Sequence, residues 1–424
     1  MSIFNKYKFG SNYKKLLLAC YMFNLLIFAI KLVYTAQLPA IIDFFQTTRA
    51  QASLGLTIYY FVYAAAQIAL SFFITKINFK TYLLITSTLS TILFSLISIT
   101  DSLTFIWIIF AINGFLQAGC WGGTVFIISK YLPNETLSYS NKLLSTSSTV
   151  GNAITYLISA FFVAVANWKI TFVFFGIVLL LSILYLFIQV KIIDKLKRQE
   201  NEEIDIEESD NSTEKHSTYV VPLGVKFNTS LFMIFIVIVA FLCNSLIYGL
   251  GNWIPNLLKE IHGFPTSLSI LLTMIMPLIA VCATLVMYNN FDKKGKIFSK
   301  TAFLSFVLLL MTIMMIFGFD LNFIFAIIMC ALLKFLPQAA YSGYSTYTLL
   351  KIKNYINPGT STLIVNSVAS FAAGLMPFIT GLIMDNFGWM EYYAFMSLIT
   401  LILLILIVVG NIVIKKKNNI TAWF

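Results

Sequence analysis

Charge is what this 424-residue sequence has least of: Asp, Glu, Lys and Arg make up 11% of it. Soluble domains carry about 25%, so a water-solvated globular fold is excluded. Acids are scarcer still where they would matter, since none lies within the core of an apolar block. The two histidines, His216 and His262, fall in loops, and the five cysteines show no CxxC or Cys/His spacing. A disulfide framework and a metal site are therefore not expected. No P-loop or nucleophile triad is present, which argues against ATP hydrolysis and against an enzyme of any ordinary kind. No cofactor is implied. A cleavable signal is not expected either, because Lys14 and Lys15 lead into an apolar block too long for a signal h-region.

What is there is hydrophobicity, 59% of the residues. It comes in blocks of roughly twenty residues, long enough to cross ~30 Å of hydrocarbon as helices. The blocks fall near 16–40, 52–74, 81–100, 103–129, 143–166 and 170–190, then 230–254, 266–288, 299–318, 322–349, 361–384 and 390–414. This predicts an all-α polytopic membrane protein of twelve transmembrane helices in two six-helix bundles, 1–190 and 229–424. Residues 191–228 form a polar linker holding nine of the seventeen acids, a composition suited to a disordered tether.

The net charge of +11 raises nucleic acid as a partner, but its distribution excludes that. With both termini cytoplasmic, twenty-three of the twenty-eight Lys and Arg fall on the cytoplasmic side, and only Arg49, Lys169 and Lys259 fall outside. This is the positive-inside bias. It fixes the orientation, and the Lys/Asn/Ile/Phe-rich composition suggests a bacterial source. The expectation is a multi-pass protein of a bacterial inner (plasma) membrane, monomeric, with the lipid bilayer and a small solute as its partners.

The halves echo each other. Asp292-Lys293-Lys294-Gly295-Lys296 follows the eighth block, and Thr75-Lys76-Ile77-Asn78-Phe79-Lys80 occupies the corresponding place in the first half. The later loop resembles the D-R-x-G-R loop of major facilitator transporters. Asp292, Lys293, Gly295 and Lys296 are thus expected to latch one conformation at the cytoplasmic face. Asn113-Gly-Phe-Leu-Gln-Ala-Gly-Cys-Trp121 resembles the helix 4 motif of the organophosphate:phosphate antiporter branch, and Tyr248-Gly-Leu-Gly-Asn-Trp-Ile-Pro-Asn-Leu-Leu-Lys-Glu260 its helix 7 motif. Gly381-Leu-Ile-Met-Asp-Asn-Phe-Gly-Trp389 resembles its helix 11–12 corner. The resemblance implies two halves rocking about a central cavity lined by helices 1, 4, 7 and 10.

Two lysines, Lys31 and Lys334, lie inside apolar blocks. At about 1.5 Å per residue each stands roughly 20 Å from its nearer flanking charges, too deep to snorkel. A cation at that depth costs at least ~2.5 kcal/mol unless it faces a cavity or a partner. They are expected to face one cavity from opposite halves and hold an anionic group. Further substrate contacts are expected from Tyr34, one turn after Lys31, and from Asn113 and Gln117 on helix 4. Asn244, Tyr248 and Asn252 recur every four residues on helix 7, and Gln338 and Tyr341 share a face with Lys334. Hydrogen bonding between helices is the alternative use of each such polar residue.

By the resemblance, Lys31 stands where phosphate exchangers carry a first substrate arginine. The second arginine is Ile247 here, the helix 5 histidine Ser148 and the helix 2 lysine Gln67. Phosphate favours bidentate guanidinium clamps, and no arginine remains at this site. A carboxylate or amino acid is then as suitable a substrate as a phosphate ester. The expected function is alternating-access transport of a small, anionic organic metabolite, by exchange or facilitated flux. Uptake of amino acids and solute sensing without flux are the rivals.

Overall fold

The computed structural model describes residues 10–73, 78–204, 223–291, 297–344 and 358–416. Twelve helical segments are long and apolar enough to cross a membrane. The first half holds α1 (Ser11–Phe45), α2 (Arg49–Leu70), α3 (Lys80–Ile99), α4 (Leu103–Tyr131), α5 (Thr146–Val165) and α6 (Ile170–Leu196). The second holds α7 (Phe232–Glu260), α8 (Thr266–Thr284), α9 (Ser299–Gly318), α10 (Phe323–Ser342), α11 (Ile364–Asn386) and α12 (Trp389–Gly410). The six-plus-six pattern of the sequence is reproduced.

Local chemistry sets where these helices start. Side chains of Asn78, Ser102 and Asn322 accept hydrogen bonds from the backbone N–H of Lys80, Phe105 and Ile324, satisfying donors left free in a first helical turn. Three of these spanning segments are interrupted: α4 at Ala118–Gly119, α7 at Asn252–Trp253 and α8 at Met274. The interruption in α4 lies where a Cβ on Gly119 would stand 2.4 Å from the Tyr82 ring.

The helix containing α6 continues to Ile204, and the helix containing α7 begins at Leu223. Both enter the polar stretch that the sequence marks as a linker. Asp194 explains the first extension: it accepts Lys80 Nζ at 2.6 Å and Tyr131 Oη at 2.6 Å, tying α6 to α3 and α4. The loop Asp292, Lys293, Gly295 and Lys296, expected to act as a latch, lies outside the described residues.

Within the first half α1 packs on α5 and α6, and α2 on α4; within the second α7 packs on α10 and α11, and α9 on α12. The halves meet along two seams, α2 against α11 and α5 against α8. Glycines set the first seam. A Cβ on Gly374 would stand 2.8 Å from Tyr60 Cβ, and one on Gly381 2.9 Å from the Ala50 nitrogen. Thr57 Oγ1 uses that proximity to donate to the Gly374 carbonyl at 2.8 Å.

Since successive helices alternate in direction, Phe45, Arg49, Glu260 and Asp385 share the face distal to both described chain ends. Ion pairs join the halves there. Arg49 bridges Glu260 at 2.5 Å and Asp385 at 3.0 Å, and Lys259 pairs with Asp43. The other two ion pairs among the described residues, Lys80–Asp194 and Lys169–Asp101, each stay within the first half.

A central cavity with two lysines

On the terminal side of that closure lies a cavity of about 290 Å³ between the halves. It is near the lower edge of the ~300–1,000 Å³ typical of small-molecule sites. Its walls come from α1, α2 and α5 on one side and from α7, α8, α10 and α11 on the other. Lys31 and Lys334 both line it, from opposite halves, and no lining residue is an acid. Among the described residues no group of His, Cys, Asp and Glu is placed to hold a metal ion.

The two ammonium groups are held differently. Lys31 Nζ lies 4.5 Å from the ring centroid of Phe28, one turn earlier on α1, 5.0 Å from that of Tyr63 and 5.9 Å from that of Tyr60. These π faces offset part of the cost of desolvating a cation. Lys334 Nζ instead donates to the Ile247 carbonyl at 3.0 Å, with the Tyr248 ring at 5.6 Å. Gly251 leaves room for it: a Cβ there would stand 2.8 Å from Nζ. The Lys334 ammonium thus reaches the Ile247 turn of α7 from α10.

Of the other residues singled out in the sequence, Asn244, Tyr248, Asn252, Gln338 and Tyr341 line the cavity. Asn252 is 6% exposed, and its Nδ2 has no hydrogen-bond partner among the described residues. It sits at the interruption of α7, where the regular ladder stops. No α4 residue is among those lining the cavity, so the structure does not bring Asn113 and Gln117 to it. Asn113 and Gln117 turn into their own half, where Ser90 Oγ donates to Asn113 Oδ1 at 2.5 Å. Gln117 Nε2 donates to Ser90 Oγ at 2.9 Å, and Tyr59 Oη donates to Gln117 Oε1 at 2.7 Å. Tyr34 is likewise packed away from the cavity. It is fully buried and donates to the Ala52 carbonyl at 2.6 Å, joining α1 to α2.

Sequence reasoning missed Tyr60 on α2, Thr149 and Asn152 on α5, and Asn366 and Ser370 on α11, all of which line the cavity. Ser148 lines it too. A usable signal was present: Ser148, Thr149 and Asn152 lie in a polar run from Ser145 to Asn152 within an apolar block, and Asn366 and Ser370 lie one turn apart in another. Gln67, by contrast, is spent on its neighbours. Its Nε2 donates to Tyr63 Oη at 2.9 Å, and its Oε1 accepts Asn366 Nδ2 from the other half at 3.0 Å.

Residues 17–356 match the family model described as Major Facilitator Superfamily. The chain belongs to this superfamily. A bacterial homolog of the human lysosomal transporter Spinster, solved inward-facing and unoccupied, superposes with a TM-score of 0.71 at 15% identity, covering 95% of this chain and 96% of that one. A D-xylose-proton symporter gives 0.72 at 12% identity, covering 94% and 97%. The nucleoside transporter NupG gives 0.68 at 11% identity, covering 94% and 99%. Identities this low establish the shared fold and nothing finer. A search of curated protein sequences returned no match. The chain is thus a multi-pass major facilitator transporter and not an enzyme.

Proposed function

We propose that this transporter carries a small organic anion, gripped by Lys31 from the first half and Lys334 from the second. The observation that carries the reading is the charge of the cavity: two ammonium groups line it and no carboxylate does. An unpaired cation inside a membrane is expensive, and a bound anion offsets both at once. The amino-acid alternative lacks a comparable feature, because a substrate ammonium would find no acid and the nearest ring faces already serve the lysines.

The same electrostatics bears on coupling. Two uncompensated cations oppose closure of an empty cavity, whereas a loaded one is close to neutral. The halves then rock more readily with substrate than without, which favours exchange of one anion for another. With the termini in the cytoplasm, as the positive-inside pattern predicts, the closed distal face points outward from a bacterial plasma membrane, and the molecule is caught facing in.

The test is a thermal-shift screen of purified protein against phosphate esters, dicarboxylates and amino acids, followed by uptake into proteoliposomes. An anion is expected to stabilise the wild type and to lose that effect in Lys31→Ala and Lys334→Ala, with uptake abolished. Wild-type uptake by either variant would sink the proposal, and binding without flux would make the protein a sensor.

A further inference from the structure

The two lysines of the cavity stand over different rings. Lys31 stands over Tyr60 of the first half and Lys334 over Tyr248 of the second. Those two rings meet each other edge to face, with centroids 5.8 Å apart, as a contact between the halves. Each ammonium also has its own unmet hydrogen-bonding capacity. Lys31 Nζ touches ring faces and has no hydrogen-bond acceptor among the described residues. Lys334 Nζ gives one hydrogen bond, to Ile247, of the three an ammonium offers. Asn252 lines the same cavity from α7, the helix whose Ile247 carbonyl Lys334 reaches, and its buried Nδ2 has no hydrogen-bond partner among the described residues.

From this arrangement, and resting on the anion reading above, we infer that the substrate is a two-headed anion of the α,ω-dicarboxylate class, with one carboxylate at Lys31 and the other at Lys334 and Asn252, its carbon chain lying along the Tyr60–Tyr248 pair. A lone ammonium at each end suits a carboxylate oxygen. A compact phosphate would need several donors converging on one point, as an arginine fork supplies, and neither lysine has an arginine beside it. The aromatic rings between the charges give an aliphatic linker apolar surface to cover. Two heads also explain why a charge is placed in each half: only a solute that reaches both lysines draws both halves onto itself.

The experiment is calorimetric titration of the purified full-length protein with straight-chain dicarboxylates from malonate to pimelate, with butyrate as a one-headed control and inorganic phosphate as a compact dianion. One dicarboxylate length is expected to bind best, and butyrate and phosphate at least ~10-fold more weakly. Loss of either ammonium removes a charged hydrogen bond, so Lys31→Ala and Lys334→Ala should each weaken that dicarboxylate roughly 10- to 100-fold. Each should bring it near the affinity of butyrate. Lys31→Gln and Lys334→Gln replace the alanine variants if those do not fold. Butyrate or phosphate binding as tightly as every dicarboxylate, with both lysines required, overturns the two-headed substrate and leaves the anion reading standing. Failure of all these anions to bind, with a neutral or cationic solute binding instead, overturns both.

Discussion

Asp385 at the end of α11 caps the start of α2, a helix of the other half, while pairing with the side chain of its first residue, Arg49. Its Oδ1 accepts Arg49 Nη1 at 3.0 Å and the Arg49 backbone nitrogen at 3.2 Å, and its Oδ2 accepts the Ala50 nitrogen at 2.9 Å. Arg49 adds Glu260 from α7, whose Oε2 also accepts Trp389 Nε1 at 3.2 Å. Isolated exposed ion pairs contribute little. This one is partly buried, shared among three helices and joined to a helix cap, so it closes the distal face as a unit.

Arg49→Ala and Asp385→Ala are therefore expected to loosen that closure and to do so non-additively, since each removes the same linkage. A cysteine placed at Asn256, which is 1% exposed behind the closure, reports on it. Labelling of Asn256→Cys by an impermeant maleimide from the distal side should rise several-fold in either background, and little further when both are changed. Unchanged labelling would show that the Arg49–Asp385 linkage is not what holds the face shut.

The seam itself gives the opposite kind of variant. Gly381→Val places a branched side chain where even a Cβ meets the Ala50 nitrogen at 2.9 Å, and Gly374→Val does the same against Tyr60 and the Thr57 carbonyl. Backbone cannot rotate aside as a flexible side chain does, so α2 and α11 must separate. Overpacking of this kind costs about 1–3 kcal/mol, charged only to the conformation in which the seam is closed. Transport is expected to fall at least ~10-fold with expression retained, and distal-side labelling of Asn256→Cys to increase.

Gly251→Ala tests how Lys334 is held. The added Cβ meets Nζ at 2.8 Å, and the far end of a lysine is free to swing, so the fold should survive. The ammonium then leaves the Ile247 carbonyl. Substrate affinity should drop about 10-fold, near the worth of one hydrogen bond to a charged group, with the melting temperature of the unliganded protein unchanged within a degree or two. An equal loss of stability and affinity would mean that the glycine serves packing and not the site.

The frame was legible because membrane spans announce themselves: twelve apolar blocks and the asymmetry of Lys and Arg require no tertiary information. Lys31 and Lys334 were legible for the same reason, since a charge at that depth has to face a cavity. Which polar residues join them was only half legible. Asn244, Tyr248 and Asn252 repeat every four residues on α7 and do reach the cavity. Asn113 and Gln117 repeat just as regularly on α4 and do not, because periodicity gives a shared helical face without saying what that face meets. The distal closure was not legible for a related reason. Arg49, Glu260 and Asp385 are far apart in sequence, and each reads alone as an ordinary loop charge.

Gln117 offers the sharpest separation of the two roles a buried amide can play. In the structure it is the middle of a chain running from Tyr59 through Gln117 and Ser90 to Asn113, which ends on the Ile109 carbonyl at 3.0 Å. Gln117→Leu is close in volume but leaves the Tyr59 hydroxyl without its acceptor and Ser90 Oγ without a donor, both shielded from water. Buried groups stranded this way cost about 1–3 kcal/mol, and interhelical bonds in membranes average nearer ~0.6 kcal/mol, so the melting temperature should fall by a few degrees. Asn252→Leu removes an amide that has no partner to strand. It should leave the melting temperature of the unliganded protein nearly unchanged while weakening substrate binding. The pair is read together by thermal shift and by the KM for transport: stability moves for Gln117 and KM for Asn252. A raised KM in Gln117→Leu with unchanged stability would return α4 to the cavity wall.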